Sequence, residues 1–337
     1  MNKKATYEKI SQLSNVSLAT ISRVMNKPFS VKSETREKVL QAMKELGMDC
    51  SFIENNKSIE NNVIIFNIPS LNNPFYSEII AGAKDCALKN RYSLLISEEV
   101  IKERNINNFI DMLKTSHAAG LITTNIIPTD LLEKISNVIP IVQCCEYNDA
   151  LPLPYVSVDD IQASKNVVDY LLSLGRRRIA LLNGPLKYKY ARERLIGYQQ
   201  ALVSADIPLD YNLICEIPEI NYDIACATCH QLLNGNNKPD AIFAVSDIYA
   251  IAAIKAIKQN RLKVPGDIAV IGFDNIPLTY MTSPTITTVN QPKYQLGIYS
   301  CSMLIQRINK EESPLESMKL ETEIIIREST ANWLKKN

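Results

Sequence analysis

The sequence is poor in glycine and has no long apolar run. Only 10 of the 337 residues are glycine, which excludes a collagen-like repeat and a glycine-rich linker. No apolar stretch approaches the roughly 18 residues from which a membrane-spanning helix is inferred. The charged first residues also lack the apolar segment of a signal peptide. We therefore expect a globular cytoplasmic protein.

Motifs typical of enzymes are missing as well. Neither a G-x-G-x-x-G loop nor a P-loop occurs in the sequence. The chain has two histidines, His117 and His230, and no nucleophile–histidine arrangement stands out around them. We expect no enzymatic activity and no cofactor.

The eight cysteines are expected to be reduced thiols, as in other cytosolic chains. One spacing, Cys226-x-x-Cys229-His230, matches the haem-attachment pattern. However, Cys226 and Cys229 share a helical face with Ala225, Leu232 and Leu233, where cysteine behaves as a small core residue. Core packing is the favoured interpretation.

Positive charge is concentrated near the start of the chain. Residues 1–49 hold nine basic and five acidic side chains, a net charge of +4, whereas the whole chain has +1. The remaining residues therefore carry a net charge of −3. This asymmetry indicates that the first segment alone meets a polyanion such as DNA.

The basic segment contains three short helical patterns. We expect Thr6 to cap the first helix, with Ile10 and Leu13 inward, and Ser17 to cap the second. A third helix begins near Ser33 and ends at Gly47, with residues 39, 40, 43 and 46 inward. Between the first two helices, Asn15 tolerates a left-handed turn. The pattern predicts a helix-turn-helix DNA-binding domain, with a protein-binding helical bundle as the alternative.

Strand and helix patterns alternate after residue 62. Strands are expected at 63–68, 92–96, 120–123, 141–144, 178–182, 213–217, 241–245 and 268–273, with helices between them. Such alternation predicts an α/β fold of two doubly wound parallel-sheet subdomains. Ligands of such folds bind at the carboxyl ends of the strands.

Residues 16–26 (VSLATISRVMN) resemble the head signature of the lactose-repressor (LacI/GalR) family of bacterial transcription regulators. Further landmarks of that family recur along the chain, at residues 34–39, 73–76, 156–159, 174–180, 184–185, 239–244, 264–267, 272–275 and 296–297. The resemblance implies a ligand-controlled repressor of operator DNA, active as a homodimer or tetramer. It also implies a core like a periplasmic sugar-binding protein.

The resemblance also implies domain boundaries. We expect a helix-turn-helix domain at 1–49, a hinge at 50–62 and an effector-binding core at 63–330. The chain of such a core passes three times between its subdomains. These passages are placed near residue 159, near 289–292 and near 317–320. The first subdomain is then 63–159 with 291–318, and the second is 160–289 with 319–330.

Site residues are likewise implied by position in the family. DNA contacts fall on Thr6, Ser17, Leu18, Ala19, Thr20, Ser22, Arg23 and Asn26. Effector contacts fall on Phe75, Tyr76, Arg192, Ile220, Ser246, Asp274 and Gln291. Leu18 and Ala19 match the base-contacting pair. An arginine fork, a carboxylate and an apolar ring face would suit a neutral sugar or polyol; a structural Arg192–Asp274 ion pair is the alternative.

The sequence departs from the family in three places. Ile220 stands where a pocket aromatic is usual, and Cys145 replaces an aspartate. In the hinge, Lys57 takes the position of the leucine that wedges into the minor groove, and Glu54 adds an acid. We therefore expect weak DNA bending. The alternatives are a ligand-sensing member with weakened DNA binding and a cytosolic solute-binding protein.

Overall fold

The computed structural model describes residues 3–26, 31–48, 50, 62–235, 238–310 and 316–331. The chain forms two compact units, Met1–Asn62 and Val63–Asn337. The sequence predictions for hinge residues Glu54 and Lys57 lie outside the described residues.

The described residues of the first unit, called the head below, form three helices: α1 (Lys3–Ser14), α2 (Leu18–Asn26) and α3 (Ser33–Glu45). They enclose a small core that includes Ile10, Ile21, Val24 and Met43. Two predicted core residues near helix ends, Leu13 and Leu46, are exposed instead. A single apolar side chain at a helix end has no neighbouring turn to cover it.

The second unit, called the core below, has two six-stranded sheets within its described residues. The first sheet has the order β11-β5-β4-β3-β1-β2, and all its strand pairs are parallel. Its strands are β1 (Val63–Asn67), β2 (Ser93–Ser97), β3 (Ala118–Thr123), β4 (Ile141–Cys144), β5 (Tyr155–Val158) and β11 (Met318–Leu320). Helices α4 (Phe75–Lys89), α5 (Ile106–Thr115), α6 (Thr129–Ser136) and α12 (Lys293–Ile308) accompany it.

The second sheet has the order β12-β10-β9-β8-β6-β7, and its edge strand β12 is antiparallel to β10. Its strands are β6 (Ile179–Asn183), β7 (Ile214–Glu216), β8 (Ala241–Ala244), β9 (Ala269–Asp274), β10 (Thr287–Asn290) and β12 (Glu323–Ile325). Its helices are α7 (Asp160–Ser173), α8 (Lys189–Ser204), α9 (Tyr222–Asn234), α10 (Asp247–Gln259) and the short α11 (Leu278–Met281). The predicted α/β architecture is confirmed.

Alternating side chains place both faces of the first sheet in apolar cores. Ile64 and Phe66 pack on one face, and the intervening Ile65 packs on the other. This arrangement is expected for a parallel sheet with helices on both sides. Beside the second sheet, Cys229 of α9 is fully buried among apolar side chains. This burial confirms the packing interpretation of the C-x-x-C-H spacing.

Helices α4 and α12 approach each other so closely that their backbones touch. A Cβ atom added at Gly82 would lie 2.0 Å from the carbonyl oxygen of Tyr294, and one at Gly297 would lie 2.0 Å from that of Ile79. Only glycine fits at both points, because a side chain would overlap backbone atoms.

The chain passes from one subdomain to the other at three points. These are Asp159 between β5 and α7, Gln291–Pro292 between β10 and α12, and residues 321–322 between β11 and β12. We expected 319–330 in the second subdomain, but Lys319 and Leu320 pair with β5 in the first sheet. A three-residue strand is too short for a periodic pattern to mark its boundary.

Candidate functional site

The turn between α1 and α2 has the features that the sequence predicted. Asn15 adopts a left-handed conformation with φ of 53°. The Thr20 N–H donates to Ser17 Oγ at 3.2 Å, which caps α2. Ser17 Oγ also lies 2.9 Å from Thr20 Oγ1. The predicted Thr6 cap is wrong, because α1 begins at Lys3 and Thr6 lies inside it.

One face of α2 is exposed and the other is buried. Leu18, Ala19 and Arg23 are exposed, whereas Ile21 and Val24 are fully buried in the head. Ser17 is exposed too, and Thr20 and Ser22 are half-buried. The side chains of Thr6 and Asn26 lie outside the described part of the head. A helix with this face can place short side chains and one arginine against DNA bases.

The core contains a cavity of about 570 Å³ at the carboxyl ends of the strands. Loops and helix starts from both subdomains form its walls. Six of the seven predicted effector residues line it: Phe75, Tyr76, Ile220, Ser246, Asp274 and Gln291. The volume is within the range of small-molecule sites. The structure thus brings these six residues together.

The seventh residue, Arg192, requires a correction. Among the described residues, the cavity is lined by Arg194 and not by Arg192. Arg192 is exposed, and its Nη1 donates to the carbonyl oxygens of Leu186 (3.0 Å) and Lys187 (2.6 Å). It lines a smaller neighbouring cavity of about 240 Å³. The two arginines are two residues apart on α8, so they point in different directions from the helix.

Arg194 is buried within a network of charges. Its Nε donates to Asp160 Oδ1 at 2.7 Å, and its Nη1 donates to the Val245 carbonyl at 2.5 Å. Its guanidinium lies 3.5 Å from the centre of the Phe273 ring. Lys189 Nζ donates to the other oxygen of Asp160 at 2.8 Å. Burial alone would raise the pKa of Asp160, but the two cations, Arg194 and Lys189, outweigh burial and lower the pKa.

Asp274 is another carboxylate that lines the cavity. Gln291 Nε2 donates to its Oδ1 at 2.8 Å, Ser246 Oγ donates to its Oδ2 at 3.4 Å, and Arg194 Nη1 lies 4.0 Å from Oδ1. Burial raises its pKa to about 6, against the opposing effects of Arg194, Lys293 and Gln291. Its backbone φ of 115° is rare for a residue other than glycine and indicates strain in the backbone.

Aromatic rings line both walls of the cavity. The rings of Phe75 and Tyr76, from the first subdomain, meet edge to face with their centres 5.1 Å apart. Those of Tyr188 and Tyr190, from the second subdomain, are stacked with their centres 5.6 Å apart. Burial raises the pKa values of Tyr76 and Tyr190, so both hydroxyls stay protonated at neutral pH. The rings, the carboxylates and the arginine together suit an uncharged ligand with several hydroxyl groups.

Sequence reasoning missed Arg194, Asp160 and Tyr190. A signal for Arg194 was available: Ala191, Arg194 and Tyr198 are spaced at three and four residues, and all three are buried. An arginine on the apolar stripe of a helix needs a buried partner, so that spacing favours Arg194 over Arg192.

The head and the two-sheet core together define a DNA-binding regulator. Residues 6–49 match the family model of bacterial regulatory proteins of the lacI family, and residues 168–330 match that of periplasmic binding protein-like domains. The chain is 33% identical to the HTH-type transcriptional repressor CytR of Escherichia coli, over 97% of this chain and 96% of CytR. The chain therefore belongs to the lacI family.

Two further relatives span nearly the whole chain. The ribose operon repressor of Halalkalibacterium halodurans is 32% identical, over 96% of this chain and 97% of that repressor. The solved complex of the transcriptional regulator CelR with cellobiose is 27% identical, covers 96% of this chain and 99% of its own, and has a TM-score of 0.72. Among the described helices, none is long and apolar enough to cross a membrane.

Proposed function

We propose that this protein is a transcriptional repressor whose affinity for operator DNA is controlled by an uncharged, polyhydroxylated effector such as a sugar or sugar derivative. The observation that carries the effector assignment is the cavity between the subdomains. One arginine (Arg194), four carboxylates (Glu146, Asp160, Glu219 and Asp274) and two aromatic pairs line it.

The exposed face of α2 supports the DNA-binding half of the proposal. We assign base contacts to Leu18 and Ala19, and backbone or base contacts to Thr6, Ser17, Thr20, Ser22, Arg23 and Asn26. The +4 charge of residues 1–49 favours the approach to phosphates. As a homodimer or tetramer, the protein would bind two half-sites related by two-fold symmetry.

Control by the effector follows from its contact with both subdomains. A ligand that touches Tyr76 on one wall and Asp274 on the other binds best at one separation of the walls. It must therefore favour one arrangement of the core over another. Differential affinity of this kind typically supplies about 1–3 kcal/mol of coupling between two sites. We further infer that the protein acts in the cytoplasm, where its operator is, and that it catalyses no reaction.

A two-stage experiment tests the proposal. The purified full-length protein is first screened by thermal shift against neutral sugars, their phosphates and nucleosides, because a ligand of the folded state raises the melting temperature. Binding to DNA from the protein's own promoter is then measured with and without the best ligand. A ligand-dependent change in operator affinity is expected. Binding of DNA with no response to any stabilising ligand would contradict effector control.

The acidic linker favours a second candidate function. Residues 49–62 hold one basic and three acidic side chains, a net charge of −2 that opposes contact with phosphates. In this alternative, the protein senses the ligand but has lost strong operator binding. The same experiment distinguishes the two: a stabilising ligand together with no specific promoter complex at low salt would support the alternative.

A further inference from the structure

The first turn of α8 is capped by a side chain from the opposite subdomain. Helix α8 belongs to the second subdomain, and its capping residue Tyr188 supplies no side-chain acceptor to the described first turn. Instead, the N–H of Lys189 donates to Glu146 Oε2 at 2.8 Å, and the N–H of Tyr190 donates to Oε1 at 3.0 Å. Glu146 follows strand β4 of the first subdomain. We call this pair of hydrogen bonds the cross-cleft cap.

The neighbouring residue Tyr147 makes a second contact between the subdomains. Its hydroxyl donates to Glu193 Oε1 of α8 at 3.3 Å. Its ring lies 4.8 Å from Lys189 Nζ and stacks on Tyr155 of β5, with centres 3.8 Å apart and planes 6° from parallel. Tyr147 is thereby held to the first sheet on one side while it contacts α8 on the other.

The cross-cleft cap depends on how the subdomains are arranged. The first N–H groups of a helix have no partner within the helix, and a carboxylate there also interacts favourably with the helix dipole. If the walls separated, Glu146 would move away from α8, and the amides of Lys189 and Tyr190 would lose their acceptor. The cap therefore stabilises the observed arrangement of the subdomains relative to a more open one.

We propose that Glu146 is the positioning residue that holds the two walls of the cavity together and sets Arg194, one turn further along α8, against the effector. This inference rests on the proposed function only for the role of the cavity as the effector site. Glu146 itself lines that cavity, so the distance between the walls and the binding of a ligand both depend on this residue.

Hydrogen–deuterium exchange on the ligand-free, full-length protein tests the proposal. In the wild type, the amides of Lys189 and Tyr190 should be protected, although first-turn amides ordinarily exchange fast. Glu146→Gln should speed their exchange about tenfold or more, because one acceptor oxygen is replaced by a donor group. Asp149→Asn is the matched control, since Asp149 lies on the same loop and is exposed. This control should leave exchange unchanged.

Small-angle X-ray scattering then tests the separation of the walls. Glu146→Gln should increase the radius of gyration relative to the wild type and to Asp149→Asn. Tyr147→Phe should act in the same direction with a smaller effect; it removes only one hydroxyl and leaves the larger cavity's lining intact. Tyr147→Phe alone decides the question if Glu146→Gln does not fold.

Two results would overturn the proposal. Equal exchange at Lys189 and Tyr190 in the wild type and in Glu146→Gln would mean that the carboxylate does not cap α8. Faster exchange with an unchanged radius of gyration would mean that the cap is local and does not hold the walls together. Neither measurement needs an effector or an operator, so failure here leaves the proposed function standing, and failure of the ligand screen leaves this inference standing.

Discussion

Replacement of Arg194 with alanine should be damaging, whereas replacement of Arg192, also on α8, should have little effect. Arg194 is buried, and its guanidinium bonds Asp160 and the Val245 carbonyl. Arg192 is exposed, and its described hydrogen bonds go to two loop carbonyls. We expect Arg194→Ala to lower both the free energy of unfolding and effector affinity. Arg192→Ala should change neither appreciably.

The size of the effect follows from the contacts that are lost. Breaking a buried ion pair by removing one partner costs about 3–5 kcal/mol. The low end, about 3 kcal/mol of unfolding free energy, is expected for Arg194→Ala because Lys189 still pairs with Asp160. Loss of a charge-assisted hydrogen bond to the effector should cost a further ~1.5–3 kcal/mol of binding. For Arg192→Ala, a change within about 0.5 kcal/mol is expected, as at most surface positions.

Urea unfolding followed by circular dichroism gives the stability difference, and calorimetry with the ligand from the screen gives the affinity difference. Arg194→Lys adds a useful intermediate, since lysine keeps the charge but lacks the planar fork that reaches two acceptors. Equal losses of stability and affinity in Arg192→Ala and Arg194→Ala would refute the assignment of Arg194 to the cavity. Normal ligand binding by a folded Arg194→Ala protein would refute the cavity assignment.

Three further predictions concern the head, the cavity and the helix pair. Exchanging Leu18 and Ala19 for polar residues should re-rank operator variants by ~1–3 kcal/mol per altered base pair in binding titrations; an equal loss on every operator would contradict base contact. The raised pKa of Asp274 means that its ionisation destabilises the folded protein, so the free energy of unfolding falls as pH rises from about 4 to 6. Asp274→Asn should remove up to about 3 kcal/mol of that fall. If the pH profile of the variant equals that of the wild type, the assignment of this titration to Asp274 is wrong. Gly297→Ala should lower unfolding free energy by about 1–3 kcal/mol through backbone overlap, whereas Gly235→Ala, with its nearest contact at 3.4 Å, serves as a near-neutral control.

The sequence predicted the elements that are long enough to show a period. Helices such as α7 and α10 and the buried strands β1 and β9 each repeat an apolar pattern or form an apolar run. Strands β5, β10, β11 and β12 and helix α11 have three or four residues each and carry no such signal, so they were not predicted. The position of the third passage between subdomains was misplaced for the same reason.

The residues that line the cavity were predicted one by one only where side-chain direction did not matter. Phe75 and Asp274 sit at a helix start and a strand end, where the fold alone directs them to the cavity. The choice between Arg192 and Arg194 depended on helix phase, which positional resemblance did not supply. Glu146 accepts a hydrogen bond from an amide 43 residues away in sequence, and no sequence pattern around residue 146 indicates that contact.

The backbone contact between α4 and α12 couples movements at the cavity to the far end of the first subdomain. Lys293, at the start of α12, donates to the carbonyl oxygens of Asp274 (2.6 Å) and Asn275 (3.1 Å) in the second subdomain. A displacement of Asp274 therefore pulls on the end of α12. Only glycine fits at the two points of closest approach, so a shift of α4 along α12 would place a side chain against backbone atoms. The two helices therefore keep their register and turn together. A 16-residue helix is about 24 Å long, so a small rotation at the cavity becomes a larger displacement at its far end.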